Sequence, residues 1–148
     1  MPHQLLIMYE SHTGNTHKMA QAVAEGAREV KGVEVLLKRV SEANAEELAS
    51  ADAIILGAPT RNTKIPPAMT RFLKDMKGVP LQGKPGAAFG SYGWSGEAVG
   101  LIRSAMIAQG IRVPGVGVRA KRTPDKVSLQ KCRELGIGVA TRVVKETA

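Results

Sequence analysis

Five short runs along the chain have the pattern of β-strands. Three are almost unbroken apolar or small segments, which is typical of strands covered on both faces: Gln4 to Tyr9, Ala51 to Gly57 and Ala87 to Ser91. The other two, Val33 to Val40 and Ile111 to Val118, contain charged residues or proline, which are tolerated at sheet edges and unfavourable in the middle. We therefore expect the first, third and fourth strands inside a sheet and the second and fifth at its edges.

Amphipathic helix patterns separate these runs, with apolar residues recurring at steps of three and four. Capping and turn residues mark where several of them begin. The predicted helices cover Thr16 to Val30, Asn44 to Ser50, Pro66 to Met76, Gly96 to Gln109, and a last segment opened by Thr123-Pro124-Asp125 whose inner face is Cys132, Leu135, Val139 and Val143.

The fivefold alternation of strand and helix predicts an α/β fold in three layers, a five-stranded parallel sheet with helices on both faces. The expected edge strands select the strand order 2-1-3-4-5. Sheets of this kind bind ligands at the carboxyl ends of the strands, where the winding direction reverses. We therefore expect the site in the loops after Tyr9, Gly57 and Ser91.

The first of these loops joins a strand directly to a helix. It consists of Ser11, His12, Thr13, Gly14, Asn15 and Thr16. Its hydroxyls, its amide and its glycine can place N–H and side-chain donors around a phosphate, and the helix adds its positive end. The loop has neither a Walker lysine pattern nor G-x-G-x-x-G, which disfavours a nucleoside triphosphate or a dinucleotide. The structural alternative is a tight turn with a Ser or Thr helix cap.

The other two loops add polar groups and aromatic rings. The second contains Pro59, Thr60, Arg61, Asn62 and Thr63, and the third contains Ser91, Tyr92, Gly93, Trp94, Ser95 and Gly96. Aromatic rings on a loop at this end of the sheet can stack on a flat ligand, although they could also fold back onto the surface. Together the three loops predict a mononucleotide site for a planar heterocycle.

These motifs resemble the flavodoxin family over essentially the whole chain. Ser11-x-Thr13-Gly14-Asn15-Thr16 is similar to its phosphate loop, and the run from Phe89 to Ala98 is most similar to the flavodoxin-type domain of flavodiiron proteins. The resemblance implies a single domain, residues 1–148, with one noncovalent FMN. Ser11, Thr13, Asn15 and Thr16 would hold the phosphate, and Thr60–Thr63 and Ser91–Gly96 would hold the isoalloxazine, with Tyr92 or Trp94 against its face.

Charge sets this chain apart from the family. Flavodoxins are typically acidic around the flavin, whereas this chain has a formal net charge of +8 and places Arg61 in the corresponding loop. A guanidinium there would stabilise the anion of fully reduced FMN, so we expect a less negative potential for that couple. The second loop also lacks the glycine whose peptide turns over in many flavodoxins, so we expect that switch to be absent or strained.

The predicted function is that of a cytoplasmic electron carrier between a reductase and an acidic partner protein. Cys132 is expected in the core, and His3, His12 and His17 have no metal-ligand spacing. No signal peptide or membrane span is apparent. One alternative is an FMN-dependent NAD(P)H:quinone or flavin reductase. Another is a basic module that binds nucleic acid or protein without flavin, although an aromatic content of 3% makes nucleic acid unlikely.

Overall fold

The computed structural model describes residues 2–146. Its strands are β1 (His3–Tyr9), β2 (Val33–Arg39), β3 (Ala53–Gly57), β4 (Gly86–Tyr92) and β5 (Val118–Lys121). Its α-helices are α1 (Asn15–Arg28), α2 (Ala45–Ser50), α3 (Pro67–Asp75), α4 (Glu97–Ala108) and α5 (Lys126–Glu146). Short 3-10 turns cover Val40–Glu42 and Met76–Gly78. Each predicted helix is present, with ends within three residues of those expected.

The strands form one parallel sheet in the order β2-β1-β3-β4-β5, which confirms the predicted order. The inner strands β1, β3 and β4 are buried over most of their length, whereas Glu34 of β2 and Arg119 of β5 are exposed. An edge strand can carry such residues because their charged groups reach water, which an inner strand under two helix layers does not allow.

Alternate side chains of each strand point to opposite faces and build two cores. On one face, Leu5 and Ile7 pack with α1 and α5, and the buried Cys132 belongs to this core, as expected. On the other face, Leu6 and Met8 pack with α2, α3 and α4. The helices cover the faces of the sheet, so the loops after β1, β3 and β4 meet at its carboxyl edge.

Two helix starts confirm the capping residues predicted from the sequence. Asn44 Oδ1 accepts a hydrogen bond from Glu47 N at 2.8 Å before α2, and Asp125 Oδ1 accepts one from Ser128 N at 2.8 Å before α5. The hydrogen bond from Ser128 also lowers the pKa of the Asp125 carboxyl, because it stabilises the ionised form. Within residues 2–146, no helix is long and apolar enough to cross a membrane.

The predicted fifth strand, Ile111 to Val118, is wrong in its placement. The observed β5 is Val118–Lys121, and the preceding segment makes only an isolated bridge between Arg112 and Pro85. Pro114 has no N–H to donate to a ladder, and Gly117 has a φ of 88°, which breaks the extended backbone. The apolar pattern misled because Ile111 and Val113 are buried in the core from irregular backbone.

Candidate functional site

Two adjoining cavities open at the carboxyl edge of the sheet. The inner cavity, of about 290 Å³, is lined by His12, Thr13, Asn15, Pro59, Thr60, Arg61, Ser91, Tyr92, Gly93 and Arg122. The outer cavity, of about 280 Å³, is lined by Thr60, Asn62, Thr63, Trp94 and Ser95. They share Thr60, and together they reach the range of about 300–1,000 Å³ that is usual for small-ligand pockets. A groove of about 420 Å³ is larger, but side chains of α2, α3 and the adjacent turns form it away from these loops.

The loop after β1 presents unpaired backbone donors to the inner cavity. Ser11 Oγ accepts hydrogen bonds from Gly14 N at 3.1 Å and His17 N at 3.3 Å, which folds the loop against the first turn of α1. Gly14 has a φ of 91°, a left-handed conformation that glycine adopts at little cost. Within residues 2–146, the backbone N–H groups of Thr13 and Asn15 have no protein acceptor. Free N–H groups at the positive end of a helix can bind an anion.

Hydrogen bonds between the loops hold them in a fixed arrangement. Thr16 Oγ1 and Ser91 Oγ are 2.8 Å apart, and this pair is buried, linking the first loop to the third. Thr60 N donates to Ser91 O at 2.9 Å, and Thr60 Oγ1 accepts from Ala98 N at 2.8 Å. The cavity walls are therefore organised by the chain itself, which reduces the ordering cost of binding.

The second loop turns sharply without a glycine. Arg61 and Lys64 exchange both backbone hydrogen bonds, at 2.7 and 2.9 Å, so that Asn62 and Thr63 are the central residues of a two-residue turn. Their φ values are 49° and 64°, the positive pair that a type I′ turn requires. Asparagine tolerates this conformation, but the branched Thr63 is strained in it. This turn is therefore strained at Thr63, and the absence or strain of the redox-linked peptide switch stays a prediction.

The two aromatic side chains of the third loop lie in different cavities. Tyr92 is half-buried and lines the inner cavity, whereas Trp94 lines the outer one and is 93% exposed. An exposed indole ring beside a cavity is available to stack on a planar ligand that enters it.

Among residues 2–146, two arginines line the inner cavity and no carboxylate lines either cavity. Arg61 Nη1 lies 3.0 Å from His12 Nδ1, which brings the second loop against the first. Arg122 comes from the turn after β5 and is not among the site residues predicted from the sequence. The misplaced fifth strand explains the omission, because a strand ending at Lys121 puts the next residue at the carboxyl edge.

The flavodoxin family model matches residues 7–136. The chain belongs to the flavodoxin family. A flavodoxin from the domain Archaea is 38% identical, with a TM-score of 0.90, over 95% of this chain and 99% of the other. Rubredoxin oxygen:oxidoreductase of Desulfovibrio gigas is 30% identical, with a TM-score of 0.91, over 98% of this chain and 37% of the other.

Curated relatives are longer flavoproteins. Type A flavoprotein fprA of Rhodobacter capsulatus is 36% identical over 97% of this chain and 34% of its own length. The anaerobic nitric oxide reductase flavorubredoxin of Aliivibrio salmonicida is 34% identical over 93% of this chain and 28% of its own length. This flavodoxin-like chain therefore spans about a third of the curated relatives it matches, and the resemblance to the flavodoxin-like domain of type A flavoproteins is confirmed.

FMN is the cofactor of this family, and this flavodoxin-like chain is an FMN-binding module. The donor set at the carboxyl edge fits the molecule. The unpaired N–H groups of the first loop and the positive charge of the inner cavity suit a phosphate, and the outer cavity with the exposed Trp94 suits a flat ring.

Four of the residues singled out from the sequence line neither cavity. Ser11 and Thr16 instead make the hydrogen bonds within and between loops described above. Gly14 provides the left-handed residue before α1. Gly96 precedes α4, and its carbonyl accepts a hydrogen bond from Arg119 Nε at 3.0 Å. In this flavodoxin these positions shape the loops, and a direct contact with FMN stays a prediction for them.

Cys132 and His17 lie outside the two cavities and pack against neighbouring groups. Burial raises the pKa of the Cys132 thiol to about 12, which makes it a poor nucleophile. His17 stacks on Tyr9 with ring centroids 5.1 Å apart, and the Arg39 guanidinium lies 5.3 Å from the centroid of the same tyrosine ring. When FMN is bound, it would supply the redox chemistry of the site.

Proposed function

We propose that this flavodoxin carries electrons, one or two at a time, from a reductase to a separate redox partner. The observation that carries the proposal is the outer cavity, which is open at the surface beside an almost fully exposed Trp94. A flavin ring seated there would keep one edge at the surface, where a docked protein can exchange electrons with it. When bound, FMN supplies the redox chemistry, and the chain supplies binding, orientation and electrostatics.

In this proposal the two cavities divide the cofactor between them. The N–H groups of Thr13 and Asn15, with the side chains of the first loop, would hold the phosphate. Thr60 to Thr63 and Ser91 to Ser95 would surround the isoalloxazine, with Trp94 against its face. Ser91 and Thr60 would act through the hydrogen bonds that fix the loops relative to one another.

Exposed cations lie on or beside the loops that form the cavities, which favours an acidic partner. We call this set of exposed residues the basic rim: Arg61, Lys64, Arg119, Lys121 and Arg122. The carboxylates next to the loops that form the cavities are Glu10, Glu97 and Asp125, and Glu10 is paired with Arg39. They are fewer than the cations of the rim. Complementary charge raises association rates and orients the encounter, and salt weakens it.

The first test is to load the purified chain with FMN and measure electron transfer by stopped flow. A flavoprotein reductase should reduce the bound flavin, and the reduced protein should then pass electrons to a one-electron carrier protein. Transfer to an acidic carrier should be fast at low salt and slow as salt is added, while transfer to a basic carrier should be slow at low salt.

A matched pair of double variants separates the basic rim from net charge. Lys64→Gln with Lys121→Gln removes two rim charges, and Lys31→Gln with Lys77→Gln removes two exposed charges near the amino edge of the sheet. Only the first pair should slow transfer to the acidic carrier. Equal slowing by both pairs would argue against docking at the rim. Turnover of NADPH with a quinone in the absence of a reductase would instead identify an enzyme, and no binding of FMN would identify a module without flavin.

A further inference from the structure

We infer that Arg122 is a cofactor-binding residue that recognises the phosphate of FMN and so favours FMN over riboflavin. This inference rests on the proposed placement of FMN in the two cavities. It adds a residue from the turn after β5 to a site built from the loops after β1, β3 and β4. Arg122 lines the inner cavity together with Thr13 and Asn15 of the first loop.

The charge of the inner cavity points to an anion. The described residues that line it include two guanidinium groups, Arg61 and Arg122, and no carboxylate. Among residues 2–146, neither arginine forms an ion pair with a side-chain carboxylate. The first loop itself contains no lysine or arginine. A phosphate monoester, with close to two negative charges at neutral pH, is the part of FMN that such a cavity would attract.

Two arginines reach the inner cavity from different elements, and Arg122 is the one that we assign to the phosphate. Arg61 is fixed from the second loop by the 3.0 Å contact of its Nη1 with His12 Nδ1. Arg122 follows β5, where its N–H donates to Tyr92 O at 2.6 Å and extends the pairing of β4 with β5 by one residue. The buried Pro124 and the start of α5 come immediately after it. Its backbone is therefore held in place before a ligand binds.

The backbone of Arg122 is strained, which is a second reason to look for a function. Its φ is 59°, in the left-handed region where glycine is favoured. Three non-glycine residues in the described part of the chain have positive φ, namely Asn62, Thr63 and Arg122, and each of them lines one of the two cavities. Strained residues cluster at ligand sites because the side chain is needed there.

The test compares the binding of FMN and riboflavin by the apo-protein, followed by quenching of flavin fluorescence. Riboflavin has the same ring and ribityl chain but lacks the phosphate. Arg122→Gln should weaken FMN binding by about tenfold, as expected for the loss of one charge-assisted hydrogen bond, and should leave riboflavin binding essentially unchanged.

Two further variants keep the result interpretable. Arg122→Gly removes the side chain and suits the positive φ, so it should fold at least as well and lose the same preference for FMN. Lys126→Gln removes an equal charge from a nearby exposed residue, which lines neither cavity, and should have a much smaller effect.

Each outcome separates this inference from the proposed function. Failure of the unmodified chain to bind FMN would contradict the cofactor site as a whole. Normal FMN binding by Arg122→Gly and Arg122→Gln would overturn the role of Arg122 alone. An equal loss for FMN and riboflavin would place Arg122 on the ring or the ribityl chain and would overturn its assignment to the phosphate.

Discussion

At the scale of single residues, backbone strain marks the walls of the cavities. Thr63 is the most unusual case, because a β-branched side chain in the left-handed region crowds the neighbouring carbonyl. The turn that holds it there is closed by two backbone hydrogen bonds between Arg61 and Lys64. Asn-Gly is the common sequence for such a turn. Thr63 therefore destabilises the folded, FMN-free protein relative to a glycine at the same position.

We predict that Thr63→Gly makes the apo-protein more stable than Thr63→Ala does, by about 1 kcal/mol. Both variants lose the threonine hydroxyl, and only alanine keeps the Cβ that is strained at positive φ. The usual ranking of these residues is the reverse, since glycine has the more flexible unfolded state. Urea unfolding of the two variants measures the difference. Greater stability of the alanine variant would mean that this turn is relaxed in solution.

Trp94 is a second residue whose surroundings indicate ligand binding, because its ring is almost fully exposed beside the outer cavity. If the isoalloxazine covers it, Trp94→Ala should weaken FMN binding by about 1–3 kcal/mol, roughly 5- to 150-fold in Kd, as for stacked bases. Trp94→Phe keeps a ring and should lose much less. Trp94 is the only tryptophan, so its fluorescence in the unmodified chain should also be quenched on binding. Unchanged binding by Trp94→Ala, with a loss for Tyr92→Ala, would assign the stacking to Tyr92.

At the scale of elements, glycine contacts set the distance between α1 and α5. A Cβ on Gly136 of α5 would lie 2.1 Å from Val23 O, and one on Gly26 of α1 would lie 2.0 Å from Arg133 O. Both contacts are with backbone, which cannot move aside as a side chain can. The close approach supports the first loop, since that loop leads directly into α1.

Gly136→Ala should therefore destabilise the fold by about 1–3 kcal/mol, as overpacking of a tight contact does. Gly138 is the matched control in the same helix, because a Cβ there meets no atom within 4 Å. Gly138→Ala should stabilise the fold by about 0.5–1 kcal/mol through the higher helix propensity of alanine. Denaturation curves of both variants give the comparison, and two shifts of the same sign would contradict this packing.

The elements also show which parts of the structure the sequence could predict. Glu34 in the second run and Arg112 in the fifth distinguished edge strands from inner ones, and this was enough for the strand order. The prediction of the fifth strand was wrong because Ile111 is buried from irregular backbone. Irregular backbone gives no regular spacing of apolar residues along the sequence. Because of that error, Arg122 was not predicted at the carboxyl edge of the sheet. The hydrogen bond between Thr16 and Ser91 could not be predicted from the sequence either, because residues so distant along the chain are brought together only by the fold.

At the scale of the whole molecule, positive charge acts on the flavin in two ways. Arg61 and Arg122 line the cavity itself, whereas most of the other basic side chains contribute through solvent. Exposed charges are screened within a Debye length of about 8–10 Å at ordinary ionic strength, and charges in a cavity are screened much less. Adding salt should therefore remove the distant contribution and leave much of the local one.

We predict that addition of the second electron, which gives the fully reduced anionic flavin, occurs at a less negative potential than in an acidic flavodoxin. A guanidinium about 4 Å from that charge stabilises it by about 1–4 kcal/mol. For a one-electron step this corresponds to a potential shift of roughly 40–170 mV. Arg61→Ala should shift this potential to more negative values at both low and high salt. The distant control Lys31→Gln should shift it only slightly, and only at low salt. A redox titration of the three proteins tests this, and a strongly negative potential unchanged in Arg61→Ala would show that the carrier is not tuned by this arginine.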